Sequence, residues 1–323
     1  MPEVLVEIKN LIINFYTYRG IVKAINGVNL KIKKGEFFGL VGETGCGKSV
    51  TASAILNLVQ NPGKIERGEI LFKGKDILSM NEDEIRDRIR GKEITMIMQH
   101  PVAALNPVIK NGHQIAEALS KKMSEGEVKK RVIQLLKEVN IPEPEKIANQ
   151  YPHQLSGGMA QRVMIAMMLS SKPSLLIADE PTTALDVSIQ AQVLRLLKDL
   201  IEKHKASVLL ITHDLSVVAE TCDRVGVMYA GDMVEVAEVD QIINNPKHPY
   251  TIGLMRAIPS DDRKELVGIR GSVPDLVNPP SGCRFHPRCD YARGVCKEEK
   301  PKTIQVESNH TVACFLYEEG KSG

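Results

Sequence analysis

Residues 42–49 read GETGCGKS, set between the apolar run FFGLV (37–41) and the helix-forming TASAILNLV (51–59). Gly42, Gly47, Lys48 and Ser49 fill every fixed position of G-x-x-x-x-G-K-[ST], and Gly45 adds a flexible point inside it. The motif carries weight where a strand enters the loop and a helix leaves it, and both flanks read that way. Glycines let the backbone curl until its N–H groups face a β-phosphate. A lysine then neutralises β- and γ-oxygens, and a hydroxyl reaches Mg²⁺. Gly42, Gly45, Cys46, Gly47, Lys48, Ser49 and Val50 are the expected nucleotide contacts, with Ser49 also on the metal.

A second stretch supplies the other half of such a site. LLIADE (175–180) is an apolar strand ending in two carboxylates. Asp179 at the C-terminal edge of a sheet can hold Mg²⁺ through water, and Glu180 can accept a proton from an attacking water. Alone, Asp-Glu after apolar residues is often a solvated turn; after a phosphate loop it predicts an ATPase.

The surrounding pattern gives the fold class. VLVEIKNLIINFY (4–16) and VNLKIKKGEFFGLVG (28–42) read as strands, and GEILFKG (68–74) as another. From Asn81 to Gln150 the texture turns charged and helix-forming, as in NEDEIRDRIRG and SEGEVKKRVIQLLKEVN. SLLIADE and SVLLITHD then look like buried parallel strands with the amphipathic helix SIQAQVLRLLKDLIEKHK (188–205) between them. That is a βαβ unit of a doubly wound α/β core. VGVMYAGDMVEVAE (225–238) reads as a hairpin. Past NNPKHPYT the composition shifts to Pro, Gly and Cys, which puts a domain boundary near residue 245.

Bulk properties exclude several classes. Within 323 residues the formal net charge is +2, so no polybasic field calls for nucleic acid or a membrane surface. Trp is absent and aromatics are few, against base-stacking surfaces. MPEVLVEIKN lacks the basic and apolar regions of a targeting segment, and no run of ~18 apolar residues could span a bilayer. The expectation is a soluble chain that serves a membrane only through partners.

Taken together, GETGCGKS, Gln99 in MIMQHP, LSGGMAQR (155–162), LLIADE, TTALD (182–186) and ITHD (211–214) resemble the ABC ATPase family in content and order, over roughly residues 4 to 245. The resemblance implies a P-loop NTPase, RecA-like core with an ABC-type antiparallel β subdomain and an α-helical subdomain at about 100–158. It also implies two cassettes packed head to tail, with ATP held between the phosphate loop of one and LSGGMAQR of the other. Ser156, Gly157 and Gly158 would then contact the γ-phosphate of ATP on the partner. The alternative for Ser156 is an ordinary N-cap bonding its own backbone. By the same resemblance Gln99 ligates Mg²⁺ and reports nucleotide state, His213 bridges the γ-phosphate and Glu180, and Asp186 braces the dimer interface. Tyr18 stacks on adenine, with Tyr16 as its rival. Met159 stands where many relatives have Gln, but its backbone N–H remains.

The tail narrows the resemblance. NPKHPYTIGLMRAIP (245–259) and GSVPDLVNPPSGCRFHPRC (271–289) are similar to the C-terminal extension of dipeptide and oligopeptide importer ATPases, with nickel importers as near relatives. Domains are thus expected at 1–245, the nucleotide-binding domain, and 246–323, a Cys-rich extension. Cys283, Cys289, Cys296 and Cys314 follow C-x5-C-x6-C-x17-C, without the close pair of a zinc knuckle. Irregular gaps suit a cubane cluster, and some members of the family are thought to bind 4Fe-4S this way. Zinc, free thiols or disulfides are the alternatives, and His286 is a possible substitute ligand.

The function implied is an ATP-hydrolysing subunit powering peptide import. Its partners would be a second cassette, paralogous by resemblance, two transmembrane permease subunits and, indirectly, an extracytoplasmic peptide-binding protein. It would lie peripherally on the cytoplasmic face of the membrane. A nickel importer ATPase, a soluble non-transport ABC ATPase and a metal-binding regulatory protein are the competing readings.

Overall fold

A computed structural model of the chain describes residues 3–119, 123–182, 186–257 and 268–318. Its strands in chain order are β1 (Val4–Thr17), β2 (Gly20–Lys33), β3 (Phe37–Val41), β4 (Gly63–Phe72), β5 (Lys75–Asp76) and β6 (Ile94–Ile97). They continue with β7 (Leu175–Asp179), β8 (Ser207–Thr212), β9 (Arg224–Tyr229), β10 (Asp232–Glu238), β11 (Thr303–Glu307) and β12 (His310–Ala313). The chain divides into two compact units, residues 1–79 with 211–323 and residues 80–210.

The first unit contains an antiparallel sheet in the order β2-β1-β4-β5. Ile8 lies opposite Leu30 and Ile70, and Ile13 opposite Ile25 and Ile65. Strict alternation would put Ile8 and Leu11 on opposite faces, yet both are buried, as is Ile13. A register shift between Ile8 and Leu11 reconciles them, because one extra residue reverses which face the following side chains occupy. A second run of strands places β3 parallel to β9, with Leu40 opposite Gly226. The hairpin expected at 225–238 is β9 and β10, antiparallel. β12 adds to β10 with Glu235 opposite Val312, so the end of the chain joins the same sheet. All five residues of β3 are buried, as a parallel strand covered on both faces requires.

The second unit carries β6 parallel to β7, with Met96 opposite Ile177. β7 leads through the helix Val187–His204 to β8, whose residues 207–210 belong to this unit and are buried. This is the βαβ element expected from the two apolar runs. Helices Asn111–Glu117, Glu125–Glu138, Pro144–Asn149 and Gly157–Leu169 fill the charged middle region. Ile115, Val132, Leu135, Leu136 and Ile147 form their apolar interior. Glu125–Glu138 starts with a full capping box between Ser124 and Glu127, which satisfies backbone donors at both residues. NEDEIRDRIRG forms less helix than its composition suggests: a turn at Glu82–Glu84 and one wide turn at Ile85–Ile89, after which Arg90 is extended.

Candidate active site

In the first unit the phosphate loop joins β3 to the helix Lys48–Ile55. Two of its glycines are required by space as well as by conformation. At Gly42 (φ +150°) an added Cβ would stand 2.1 Å from the Met228 carbonyl oxygen; at Gly47 (φ +104°) it would meet Ile25 Cδ1 at 2.6 Å. Gly231 N–H donates to the Cys46 carbonyl at 2.9 Å, fixing the loop against the β9–β10 turn. Lys48 is buried, and its Nζ donates to the carbonyls of Gly42 at 2.7 Å and Glu43 at 3.3 Å. The ammonium is thus held inside the curl. Ser49 is exposed, Val50 half-buried, and Gly45 has open space around it. Burial pushes the Cys46 thiol up, the nearby Lys48 opposing in part, so it packs as a neutral group.

Contacts that the sequence reading did not foresee reach this loop from the end of the chain. Glu43 N–H donates to the Tyr250 hydroxyl at 2.9 Å, and the Glu43 carboxylate receives Arg288 Nη1 at 2.6 Å and Nη2 at 3.1 Å. Glu43 occupies a variable position of the loop motif and lies 245 residues from Arg288, so no spacing could have flagged the pair. Arg284 likewise donates to the carbonyls of Lys23 (3.0 Å) and Ala230.

In the second unit two predicted site residues meet. Gln99 Nε2 donates to Glu180 Oε2 at 3.0 Å. Glu180 follows the half-buried Asp179 at the end of β7 and adopts φ +45°. A non-glycine residue in that region costs of order 1–3 kcal/mol, which the surrounding structure has to offset. Ser156 caps the helix Gly157–Leu169, its Oγ accepting Met159 N–H at 3.3 Å. The ordinary capping role is therefore present. An added Cβ at Gly158 would approach Ile189 Cγ2 to 3.0 Å. Arg162 of the same helix donates to the carbonyls of Val139 and Asn140, each at 3.2 Å, tying it to the end of Glu125–Glu138.

The remaining candidates are placed one by one. His213 is exposed in the first unit, just after β8. Asp186 is exposed at the N-cap of Val187–His204, where its side chain makes no capping bond. Residues 183–185 of TTALD lie outside the described residues. Tyr18 is 91% exposed, with Arg19 over its ring at 5.4 Å. Tyr16 is 43% exposed, its hydroxyl donating to Glu66 at 2.7 Å, which leaves Tyr18 the more available face.

Cys283, Cys289, Cys296 and Cys314 line one small cavity with Phe285 and His248. Burial pushes the Cys283 thiol up to about 12 and Cys314 to about 11, and the neighbouring cysteines add to both shifts. All four are free. Among the described residues, however, no three His, Cys, Asp or Glu side chains make a set that could hold a metal ion. A finished iron–sulfur site is thus not borne out; thiols must lose their protons to ligate a metal, and the raised Cys283 and Cys314 oppose that step. His286 turns Nδ1 to the Cys283 carbonyl at 2.9 Å.

Comparison with known proteins gives two family matches: "ABC transporter" at residues 25–183, and "Oligopeptide/dipeptide transporter, C-terminal region" at 234–296. The oligopeptide transport ATP-binding protein OppD of Bacillus subtilis is 52% identical over 318 residues, 97% of this chain and 88% of the relative. The dipeptide transport ATP-binding protein DppD of the same organism is 49% identical over 323 residues, 98% and 96%. Among solved structures, a dimeric ATP-binding cassette in a post-hydrolysis state bound to ADP and Pi is 30% identical with TM-score 0.64, covering 73% of this chain and 99% of that one.

Proposed function

The chain belongs to the ABC transporter family, and from that premise we propose that it is the ATP-hydrolysing subunit of a di- or oligopeptide importer. The observation that carries the reading is the pairing of the ABC transporter match with the peptide-transporter C-terminal match in one chain, alongside near-full-length relatives named for peptide transport. GETGCGKS, Gln99 and LLIADE all fall within the single ABC transporter match, which supports their serving one reaction.

In that reaction the loop Gly42–Val50 wraps the phosphates and Lys48 offsets charge on the β- and γ-oxygens. Ser49, Gln99 and Asp179 carry the oxygen donors that a hard cation prefers and would hold Mg²⁺, which would supply charge neutralisation for the transferred group. Water attacks the γ-phosphorus, its proton passes to the Glu180 carboxylate, and the bond to the ADP oxygen breaks. Gln99 orients Glu180, consistent with their hydrogen bond. His213 steadies the γ-phosphate, and exposed Tyr18 offers a stacking face to adenine. Ser156, Gly157 and Gly158 act on ATP bound to a second cassette, and Asp186 braces the interface between the two; the dimeric state of the solved relative supports this arrangement.

The nucleotide-binding domain, with its β and helical subdomains, is taken as residues 1–245 and the Cys-rich extension as 246–323. None of the helices, among the described residues, is long and apolar enough to cross a membrane, so two permease subunits would supply the channel and a peptide-binding protein the cargo. A second, paralogous cassette would complete the pair on the cytoplasmic face. Reconstitution with these partners tests the reading: ATP turnover should rise with peptide supply, and turnover indifferent to peptide would overturn it.

For the extension we propose a 4Fe-4S cluster, supported by four thiols lining one cavity. Protein purified without oxygen should carry iron and acid-labile sulfide in equal amounts and lose both in Cys289→Ser. Stoichiometric zinc instead would defeat the cluster.

A further inference from the structure

The second residue of the phosphate loop is gripped from two directions by the C-terminal part of the chain. Its main chain is fixed by Tyr250, which is fully buried and packs at a tilt against Tyr229 (4.7 Å) and Phe285 (5.4 Å). Its carboxylate is fixed by both terminal nitrogens of Arg288, a fork geometry that restrains rotation as well as position. Arg288 is itself immobilised. Only 5% of its side chain is exposed, Nε donates to the Arg270 carbonyl at 2.7 Å, and the guanidinium lies 5.6 Å from the Tyr229 ring centre.

Glu43 also touches the loop's ammonium, for its carbonyl accepts Lys48 Nζ at 3.3 Å. A continuous set of contacts therefore runs from Arg288 and Tyr250 through Glu43 to Lys48. Electrostatics give the arrangement a purpose. A carboxylate one residue into a phosphate-binding loop repels an incoming triphosphate, and that repulsion strengthens where water is scarce. Arg288 cancels the charge and holds the carboxylate in place.

We propose that Arg288 and Tyr250 are positioning residues for nucleotide binding: the C-terminal extension clamps Glu43, neutralises its charge and presets the phosphate loop for ATP. The inference rests on reading Gly42–Ser49 as the phosphate cradle. Its loss would weaken binding of ATP more than it slows turnover of bound ATP, since neither residue touches the reacting atoms.

Equilibrium binding of ATP to the full-length chain is the measurement, with thermal melting alongside. Arg288→Ala should raise Kd about tenfold, the worth of one charge-assisted contact. Arg288→Lys keeps the charge without the fork and should recover part of that loss. Glu43→Gln combined with Arg288→Ala should recover most of it, because the uncompensated carboxylate is gone. Tyr250→Phe keeps the aromatic cluster and should raise Kd about threefold by stranding one N–H. Should Arg288→Ala misfold, Arg288→Lys and Tyr250→Phe still decide. A Kd unchanged in both, or an Arg288→Ala defect that the added Glu43→Gln leaves untouched, overturns the clamp. Lys48→Ala separates the premise: if it binds ATP normally, the cradle reading itself fails, whereas loss there with normal Arg288 variants removes only the clamp.

Discussion

Gln99 and Glu180, 81 positions apart, share a hydrogen bond of 3.0 Å from the amide of the first to the carboxylate of the second. A neutral donor fixes where that carboxylate oxygen stands without adding a charge beside it. Together with the positive φ at Glu180, this bond gives the end of β7 a defined geometry.

Replacing Glu180 with Gln keeps size and most contacts but removes the proton acceptor. ATP binding should persist while steady-state phosphate release falls at least about a hundredfold, the usual weight of a general base. Phosphate release at near-normal speed in the purified variant would remove Glu180 from that role.

Gly42→Ala tests the loop's packing. With a Cβ placed 2.1 Å from the Met228 carbonyl, either the loop or β9 has to shift. ATP affinity should drop by an order of magnitude or more, since misplaced amides lose several contacts at once. Gly45→Ala meets nothing within 4 Å, though its φ of +82° disfavours a side chain, and should cost about 1 kcal/mol of stability with a milder loss of affinity. Equal defects in a paired titration would contradict the steric account.

Much of this was legible in the chain itself, for a physical reason. Elements fixed by local pattern, such as the buried strand LLIAD, the helix Val187–His204 and the hairpin at 225–238, are specified by periodicity and turn chemistry within a few residues. The loop motif likewise names its own glycines. What could not be read was long-range: the bulge that reconciles Ile8 with Leu11, the addition of β12 to β10, and the Arg288–Glu43 pair. Each depends on tertiary pairing that no local signal encodes. The cysteine spacing anticipated four thiols around one cavity, but not that among the described residues no three metal-binding side chains already form a ligand set.

Ser156 has one observed role and one proposed role, and mutation can part them. Its hydroxyl caps the helix Gly157–Leu169, so Ser156→Ala should cost about 1 kcal/mol of stability, while Ser156→Gly costs only a few tenths. If the hydroxyl also meets ATP on a second cassette, both variants should lose ATP-driven dimerisation alike despite their different melting temperatures. Light scattering with ATP in a Glu180→Gln background gives the answer, and dimerisation that simply tracks stability would reduce Ser156 to a cap.

His248 gives the chain a built-in sensitivity to acid. It is 1% exposed, and its Nδ1 accepts Tyr250 N–H at 3.0 Å, so the ring must be neutral to cap the helix Pro249–Arg256. Burial pushes its pKa from the ordinary 6.5 down to about 4, the charge on Glu235 opposing only in part. The unfolded chain therefore takes up a proton near pH 6.5 that the folded chain refuses until about pH 4. Between those limits the unfolded state binds more protons, so stability falls as pH drops and levels off below the lower one. From pH 6.5 to 5 the loss should be about 2 kcal/mol at 1.36 kcal/mol per unit. His248→Asn retains a capping acceptor and cannot titrate. Urea unfolding of both proteins at pH 7.5 and 5 should show the wild type losing about 2 kcal/mol more than the variant. Parallel losses in the two would mean that the imidazole is not what senses the acid.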